Sequence, residues 1–260
     1  MKIALYQCLP GSLDVEGNLR RLDRVAAQAV AQGAKVLVLP ELFSTGYAIG
    51  AEAVQQLAEP VDGPFAEHAA RIARTHGIAL CYGYPERGRD GAIYNSAMLL
   101  GVDGQPLLNY RKWQLFGALD REQFSEGDGA PRVANLLGWQ VGLQICYDVE
   151  FPEGVRHLAS AGAELVLVPT ANMRGFEFIA DVTVRSRAFE NLCFVAYANY
   201  VGVEGPFEYC GRSSVNGPKG SRFDLPGEGE GLLVVDISRD EREAALRDNP
   251  YLTDYRTFDH

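Results

Sequence analysis

No apolar run in this 260-residue chain approaches the roughly 18 residues that a membrane-spanning helix needs. The first residues, Met1-Lys-Ile-Ala-Leu5, read directly as a strand, with no charged-then-apolar signal segment, and a cytoplasmic protein is the expectation. The cysteines, Cys8, Cys81, Cys146, Cys193 and Cys210, are scattered and odd in number, with no Cys-x-x-Cys pair. That argues against a disulfide framework and against a zinc site. Histidine is scarce, and no His-x-x-x-His pair exists for a metal. His68, His76 and His157 fall in helix-like stretches and read as surface residues; His260 is the fourth. A Cys–His dyad formed in space stays open at this point. No metal and no cofactor are expected.

Positive charge is also in short supply. Lys and Arg number 24 against 34 Asp and Glu, a formal net charge of −10. Phosphate backbones are gripped by clustered cations, so nucleic acid is not the expected partner. A neutral or cationic small molecule is compatible with the balance. No Pro/Ser-rich or low-complexity linker divides the chain. Residues 1–260 are therefore expected to form one domain. The polar stretch 239–260 is read as a C-terminal tail lying on the surface or on a partner subunit.

What is present is a repeating alternation of short apolar runs and amphipathic segments. Strands are expected at 2–8, 35–39, 78–84, 95–100, 107–110, 140–146, 165–169 and 192–198, and near 211–215 and 231–237. Val102-Asp-Gly104 marks a hairpin. Helices are expected at 18–31, 64–75, 152–161 and 176–191. The first would bury Leu19, Leu22, Val25, Ala26, Ala29 and Val30, and Gly33 would end it. The third has proline in its first turn. Strand–helix alternation with hairpins predicts an α/β fold with mixed sheets.

Three strand ends carry chemistry. Val36-Leu-Val-Leu-Pro-Glu41 delivers a carboxylate, Asn109-Tyr-Arg-Lys112 an ammonium, and Val141-Gly-Leu-Gln-Ile-Cys-Tyr-Asp148 a thiol. Each has a bland alternative: a solvated turn acid, a surface cation, and a small buried hydrophobe. Together they supply a base, a cation and a nucleophile, the parts of a covalent hydrolase. A free thiol is mostly protonated at neutral pH. Glu41, raised by burial, is the candidate base.

Leu39-Pro-Glu-Leu-Phe43, Tyr110-Arg-Lys-Trp-Gln-Leu-Phe116, Gly142-Leu-Gln-Ile-Cys-Tyr-Asp148 and Phe151-Pro-Glu153 resemble the nitrilase superfamily of carbon–nitrogen hydrolases, over nearly the whole chain. The resemblance implies a four-layer αββα sandwich and the catalytic set Glu41, Lys112 and Cys146. Lys112 and the Tyr147 N–H would hold the oxyanion of the tetrahedral intermediate. Many amidases of the superfamily place a glutamate eight residues after the lysine to position substrate. Here Asp120 stands there, one methylene shorter; the alternative is an acid that pairs with Arg121 or Lys112. A homodimer or higher homo-oligomer is implied, as is a small-molecule amide substrate.

Cys-Tyr-Asp, rather than the Cys-Trp-Glu usual in true nitrilases, looks like the amidase and carbamoylase branches. Many relatives acting on dicarboxylate monoamides carry arginine where this chain has Glu150. The reversed charge favours a substrate with an ammonium group; the alternative is an acid at a helix N-terminus. Cys81-Tyr-Gly-Tyr-Pro-Glu-Arg87, Ala92-Ile-Tyr-Asn-Ser96, Val168-Pro-Thr-Ala-Asn-Met173 and Val195-Ala-Tyr-Ala-Asn-Tyr200 look like the bacterial 5-aminopentanamidase group, near the stereoselective amidases of cyclic amino amides. By that likeness Tyr147, Asn172 and Met173 line the pocket, although Asn172 could instead cap the next helix. The chain departs from the group at Arg174-Gly-Phe176. A carbamoyl-amine hydrolase and a catalytically silent interaction protein of the same fold are the alternatives.

Overall fold

The side chains of successive strand residues point to opposite faces, and here both faces of each sheet are covered. The computed structural model describes residues 1–256; His260 and the end of the expected tail lie outside them. The chain begins β1 (Lys2–Gln7), α1 (Val15–Ala31), β2 (Val36–Val38), α2 (Ala51–Leu57), α3 (Pro64–His76) and β3 (Ala79–Arg87). It continues β4 (Ile93–Leu100), β5 (Pro106–Arg111), α4 (Gly117–Gln123), β6 (Val133–Leu136), β7 (Trp139–Leu143), α5 (Pro152–Ser160) and β8 (Leu165–Thr170). Then come α6 (Val184–Glu190), β9 (Phe194–Asn199), β10 (Val201–Glu204), β11 (Phe207–Cys210), β12 (Ser214–Asn216), β13 (Arg222–Asp224), β14 (Gly231–Asp236), α7 (Arg239–Asp248) and α8 (Tyr251–Asp254).

Two mixed six-stranded sheets form, in the orders β14-β1-β2-β3-β4-β5 and β13-β12-β9-β8-β7-β6. Along β1, Ile3 and Leu5 join one buried cluster while Ala4 and Tyr6 join another. Along β8, Leu165 and Leu167 join the same cluster as Ile3, while Val166 and Val168 join a third. The shared cluster is therefore the layer between the sheets. The second cluster is closed by α1 and α3, the third by α5 and α6. The result is the expected αββα sandwich. Periodicity shows the strands but not how they divide between two sheets.

In the first sheet β1, β2 and β3 run parallel, and two antiparallel steps return β5 to the same direction. The ends of β2 and β5 thus lie on one side of the sandwich. β7 and β8, parallel in the second sheet, end facing them.

Some boundaries differ from the sequence reading. α1 starts at Val15 rather than Asn18, because the Asp14 carboxylate accepts the Gly17 N–H at 2.8 Å. Val30 falls off the buried stripe and is exposed. The 176–191 helix divides into a π-helical turn (Ile179–Thr183) and α6. The strand of 140–146 stops at Leu143, and Cys146 opens a 3₁₀ turn (Cys146–Glu150). Within the described part of the expected tail, residues 239–248 and 251–254 are helical. Ser238 caps α7, which is held on its own chain by Arg239 and Arg242 to Glu164 and by Asp248 to Lys219.

Candidate active site

Glu41 follows β2 after Leu39 and Pro40, and its N–H reaches across to the Thr170 carbonyl of the other sheet at 3.3 Å. Its side chain is fully buried. Oε1 accepts two hydrogen bonds, from Asn95 Nδ2 on β4 and from Lys112 Nζ, each at 2.7 Å. Lys112 is placed by the register of β4 and β5, since its N–H donates to the Asn95 carbonyl at 2.8 Å. Its ammonium also reaches Asp120 Oδ2 at 2.7 Å. Asp120, in the first turn of α4, takes further bonds from the Phe116 N–H at 2.9 Å and the Tyr47 hydroxyl at 2.8 Å. Two carboxylates thus share one ammonium in a site sealed from water. Of the two partners expected for Asp120, the structure gives Lys112; Arg121 turns to the Gly117 carbonyl.

Burial pushes the Glu41 carboxyl above its ordinary range; Lys112 opposes the rise and Asp120 adds to it. Burial alone would lower Lys112, but Asp120 and Glu41 outweigh it and hold the ammonium well above its usual value. The second Glu41 oxygen, Oε2, is buried without a hydrogen-bond partner.

Cys146 stands at the start of its 3₁₀ turn with a φ of 46°, a conformation that L residues avoid. It is half-buried, whereas the other four cysteines are buried. Burial and the Glu41 charge push its thiol well up, against Lys112, the Thr170 hydroxyl and the Ala171 N–H. The resting sulfur is therefore a protonated thiol next to a carboxylate. Tyr147 is the second residue of the turn, where backbone N–H groups lack intrahelical partners. Asp148 closes the turn, with burial pushing its carboxyl up to about 6.

Over the sulfur lies a cavity of about 20 Å³, lined by Tyr47, Phe116, Tyr147, Glu150, Ala171, Asn172, Met173 and Phe176. Larger clefts open beside Arg111 (about 410 Å³) and Trp113 (about 390 Å³), but neither touches Cys146. Chemistry rather than size therefore marks the site. Glu150 accepts from Arg187 through its carbonyl oxygen, not its carboxylate, and α5 carries no side-chain N-cap. Asn172 Nδ2 donates to the Phe176 carbonyl at 3.1 Å, so it closes the 172–176 loop instead of capping a helix. That loop is strapped to β11, where Met173 bridges Tyr209 and Arg174 pairs with Glu208. The three described histidines do not take part. His68 and His157 are exposed and His76 pairs with Asp23, so no Cys–His dyad forms among the described residues.

Sequence reasoning did not single out Tyr47, Asn95, Thr170 or Glu204. Glu204, buried on β10, accepts from the Tyr47 and Ala48 N–H groups at 3.1 and 2.9 Å and from the Tyr209 hydroxyl at 2.5 Å. It fixes the loop that carries Tyr47 to Asp120. Only Asn95 and Thr170 had a signal, inside motifs quoted for their likeness.

Two sheets between helices, with a glutamate, a lysine and a cysteine gathered from their strand ends, define a hydrolase of carbon–nitrogen bonds. Residues 2–247 match the family model described as carbon-nitrogen hydrolase, and the chain belongs to that family. It is 54% identical to a Pseudomonas protegens protein called hydrolase in pqqF 5'region, over 98% of this chain and 89% of the relative. It is 35% identical to an (R)-stereoselective amidase of a Pseudomonas species, over 98% and 92%. The crystal structure of an amidase from Nesterenkonia superposes with a TM-score of 0.84 at 38% identity, over 98% of this chain and 93% of that one. That amidase, of the nitrilase superfamily, has also been solved with acrylamide joined to its active-site cysteine and, as a cysteine-to-alanine mutant, with butyramide.

Proposed function

We propose that this hydrolase is a cofactor-free amidase acting on a linear amide that carries an ammonium group, an ω-amino acid amide such as 5-aminopentanamide, through a thioester on Cys146. The observation that carries the mechanism is the division of labour on Glu41. Oε1 is held by Asn95 and Lys112, while Oε2 is buried and unpartnered. A buried acceptor without a donor is costly and rare, and Oε2 is the atom left to receive the thiol proton.

The thiolate then attacks the amide carbon, forming the C–S bond and an oxyanion. The Lys112 ammonium and the Tyr147 N–H stabilise that charge. Collapse expels ammonia, which takes the proton back from Glu41. Water, deprotonated by Glu41, attacks the thioester. The carboxylate leaves and the sulfur recovers its proton.

Glu150 supports the substrate class. Glu150 is the one acidic residue lining the cavity, beside aromatic, Met, Ala, Asn and Cys146 residues, and burial holds its carboxyl above the ordinary range. An ammonium placed there gains a charge-assisted bond. Phe176, 44% exposed, lines the same cavity.

The test is ammonia release from 5-aminopentanamide, glutaramate, glutamine, N-carbamoylputrescine, butyramide and a matching nitrile, each beside Cys146→Ala. Fast, Cys146-dependent release from 5-aminopentanamide is expected. Turnover of another substrate alone would discard the ω-amino class and keep the mechanism; release by Cys146→Ala would remove the thioester.

A further inference from the structure

Asp148 belongs to the Cys-Tyr-Asp segment, yet the chemistry above leaves it without a task. It is buried, and three donors converge on its carboxylate. Oδ2 accepts from the Ile145 N–H at 3.1 Å and from the Tyr110 hydroxyl at 2.9 Å. Oδ1 accepts from the Gln114 N–H at 2.8 Å. Ile145 immediately precedes Cys146. Tyr110 is the one buried residue of β5, and Gln114 lies two residues past Lys112. The Asp148 N–H returns to the Ile145 carbonyl at 3.0 Å and closes the turn.

One carboxylate therefore ties the backbone beside the thiol to the backbone beside the ammonium. The thiol side needs such a tie. Cys146 sits in the left-handed region, and strained backbone persists only where its surroundings over-determine it.

We infer that Asp148 is a positioning residue that uses these three hydrogen bonds to hold the Cys146 turn in register with Lys112. The inference rests on the reading of Cys146 as nucleophile. It explains why an acid stands here rather than its amide. A carboxylate accepts at both oxygens, whereas an asparagine offers one acceptor and one NH₂ group. With its oxygen kept toward Ile145 and Tyr110, that NH₂ would confront the Gln114 N–H. Flipped, it would confront the Ile145 N–H. Either way one side of the tie opens, with almost no change in volume.

The experiment compares wild type with Asp148→Asn by three readouts: the thermal midpoint, kcat and KM on the best amide of the panel, and the rate at which iodoacetamide alkylates Cys146. The expected result is a folded variant whose kcat is roughly 10–100-fold lower, with KM little changed and Cys146 alkylated more slowly. A purely structural Asp148 would lower the thermal midpoint and leave kcat per titrated thiol intact, and that result overturns the inference. Unchanged alkylation and kcat would overturn it as well. Wild-type turnover that survives Cys146→Ala is a separate failure, of the nucleophile reading itself. Should wild type act on no amide of the panel, the alkylation rate alone decides. If Asp148→Asn does not fold, Tyr110→Phe removes one donor only. It should lower kcat about fivefold, the worth of one hydrogen bond, and no change there overturns the inference.

Discussion

Lys112 Nζ and Glu41 Oε1 lie 2.7 Å apart with both side chains closed to solvent. Asp120 holds the same ammonium at the same distance from the other side. The Glu41 charge pushes the Cys146 thiol up, and on the proposed mechanism the Glu41 carboxylate takes the thiol proton as the thiolate forms.

Replacing Lys112 with Met should be severe for the fold as well as for catalysis. Two buried carboxylates would lose their shared cation, and removing one partner of a buried ion pair costs about 3–5 kcal/mol. Urea unfolding of Lys112→Met against wild type measures this. A loss below about 1 kcal/mol, the range of an exposed pair, would show that water enters the cluster.

The pH dependence follows from Glu41. To accept the thiol proton it must be ionised, and its carboxyl is raised above the ordinary value of 4.5, first by burial. As pH falls, kcat/KM should drop through a midpoint above that value. The sign for stability is opposite: the ionised form opposes folding at neutral pH, and this opposition is relieved as pH falls through the raised value. A pH–rate profile of wild type tests the first statement. An acid limb centred at or below 4.5 would remove Glu41 as the base.

Tyr47→Phe should reduce kcat while leaving the fold in place. It removes the 2.8 Å bond to Asp120 Oδ1 and leaves a buried carboxylate oxygen short of a donor, at a cost of about 1–3 kcal/mol. Glu204→Ala acts one step further out, releasing the Tyr47 and Ala48 N–H groups. It should lower both kcat and the thermal midpoint. Equal activity in Tyr47→Phe and wild type would show that Asp120 needs no help in holding Lys112.

Glu150→Arg should reverse the preference between charged amides. The ratio of kcat/KM for 5-aminopentanamide over glutaramate should fall by an amount worth about 1–3 kcal/mol, if the carboxylate meets the ammonium. An unchanged ratio would take Glu150 out of substrate recognition.

The three strand ends were legible because each ends a short apolar run, and such runs mark buried strands whatever their neighbours. The partners that give those ends their geometry were not. Glu204 and Tyr47 are 157 positions apart and Glu41 and Asn95 are 54 apart; neither pairing leaves a periodic trace. Periodicity does not show the β10–β11 hairpin, whose two strands are four residues each and whose acid, Glu204, is buried. α4 was missed because it is seven residues long and opens on a glycine with a φ of 59°. The thiol strand is shorter than its pattern suggests because Ile145 continues the apolar alternation of Val141 and Leu143, although the strand ends at Leu143. The turn that ends it depends on Asp148, a contact that exists only in the folded chain.

The unequal burial of the cysteines gives each molecule a built-in counter. Cys8, Cys193 and Cys210 are buried, and Cys81 is sealed in the layer between the sheets. Cys146 alone among them is half-buried, and it lines a cavity. A small electrophile applied to the native protein should therefore be consumed in a one-to-one ratio, and the equivalents taken up report the number of working sites in a preparation before any substrate is known.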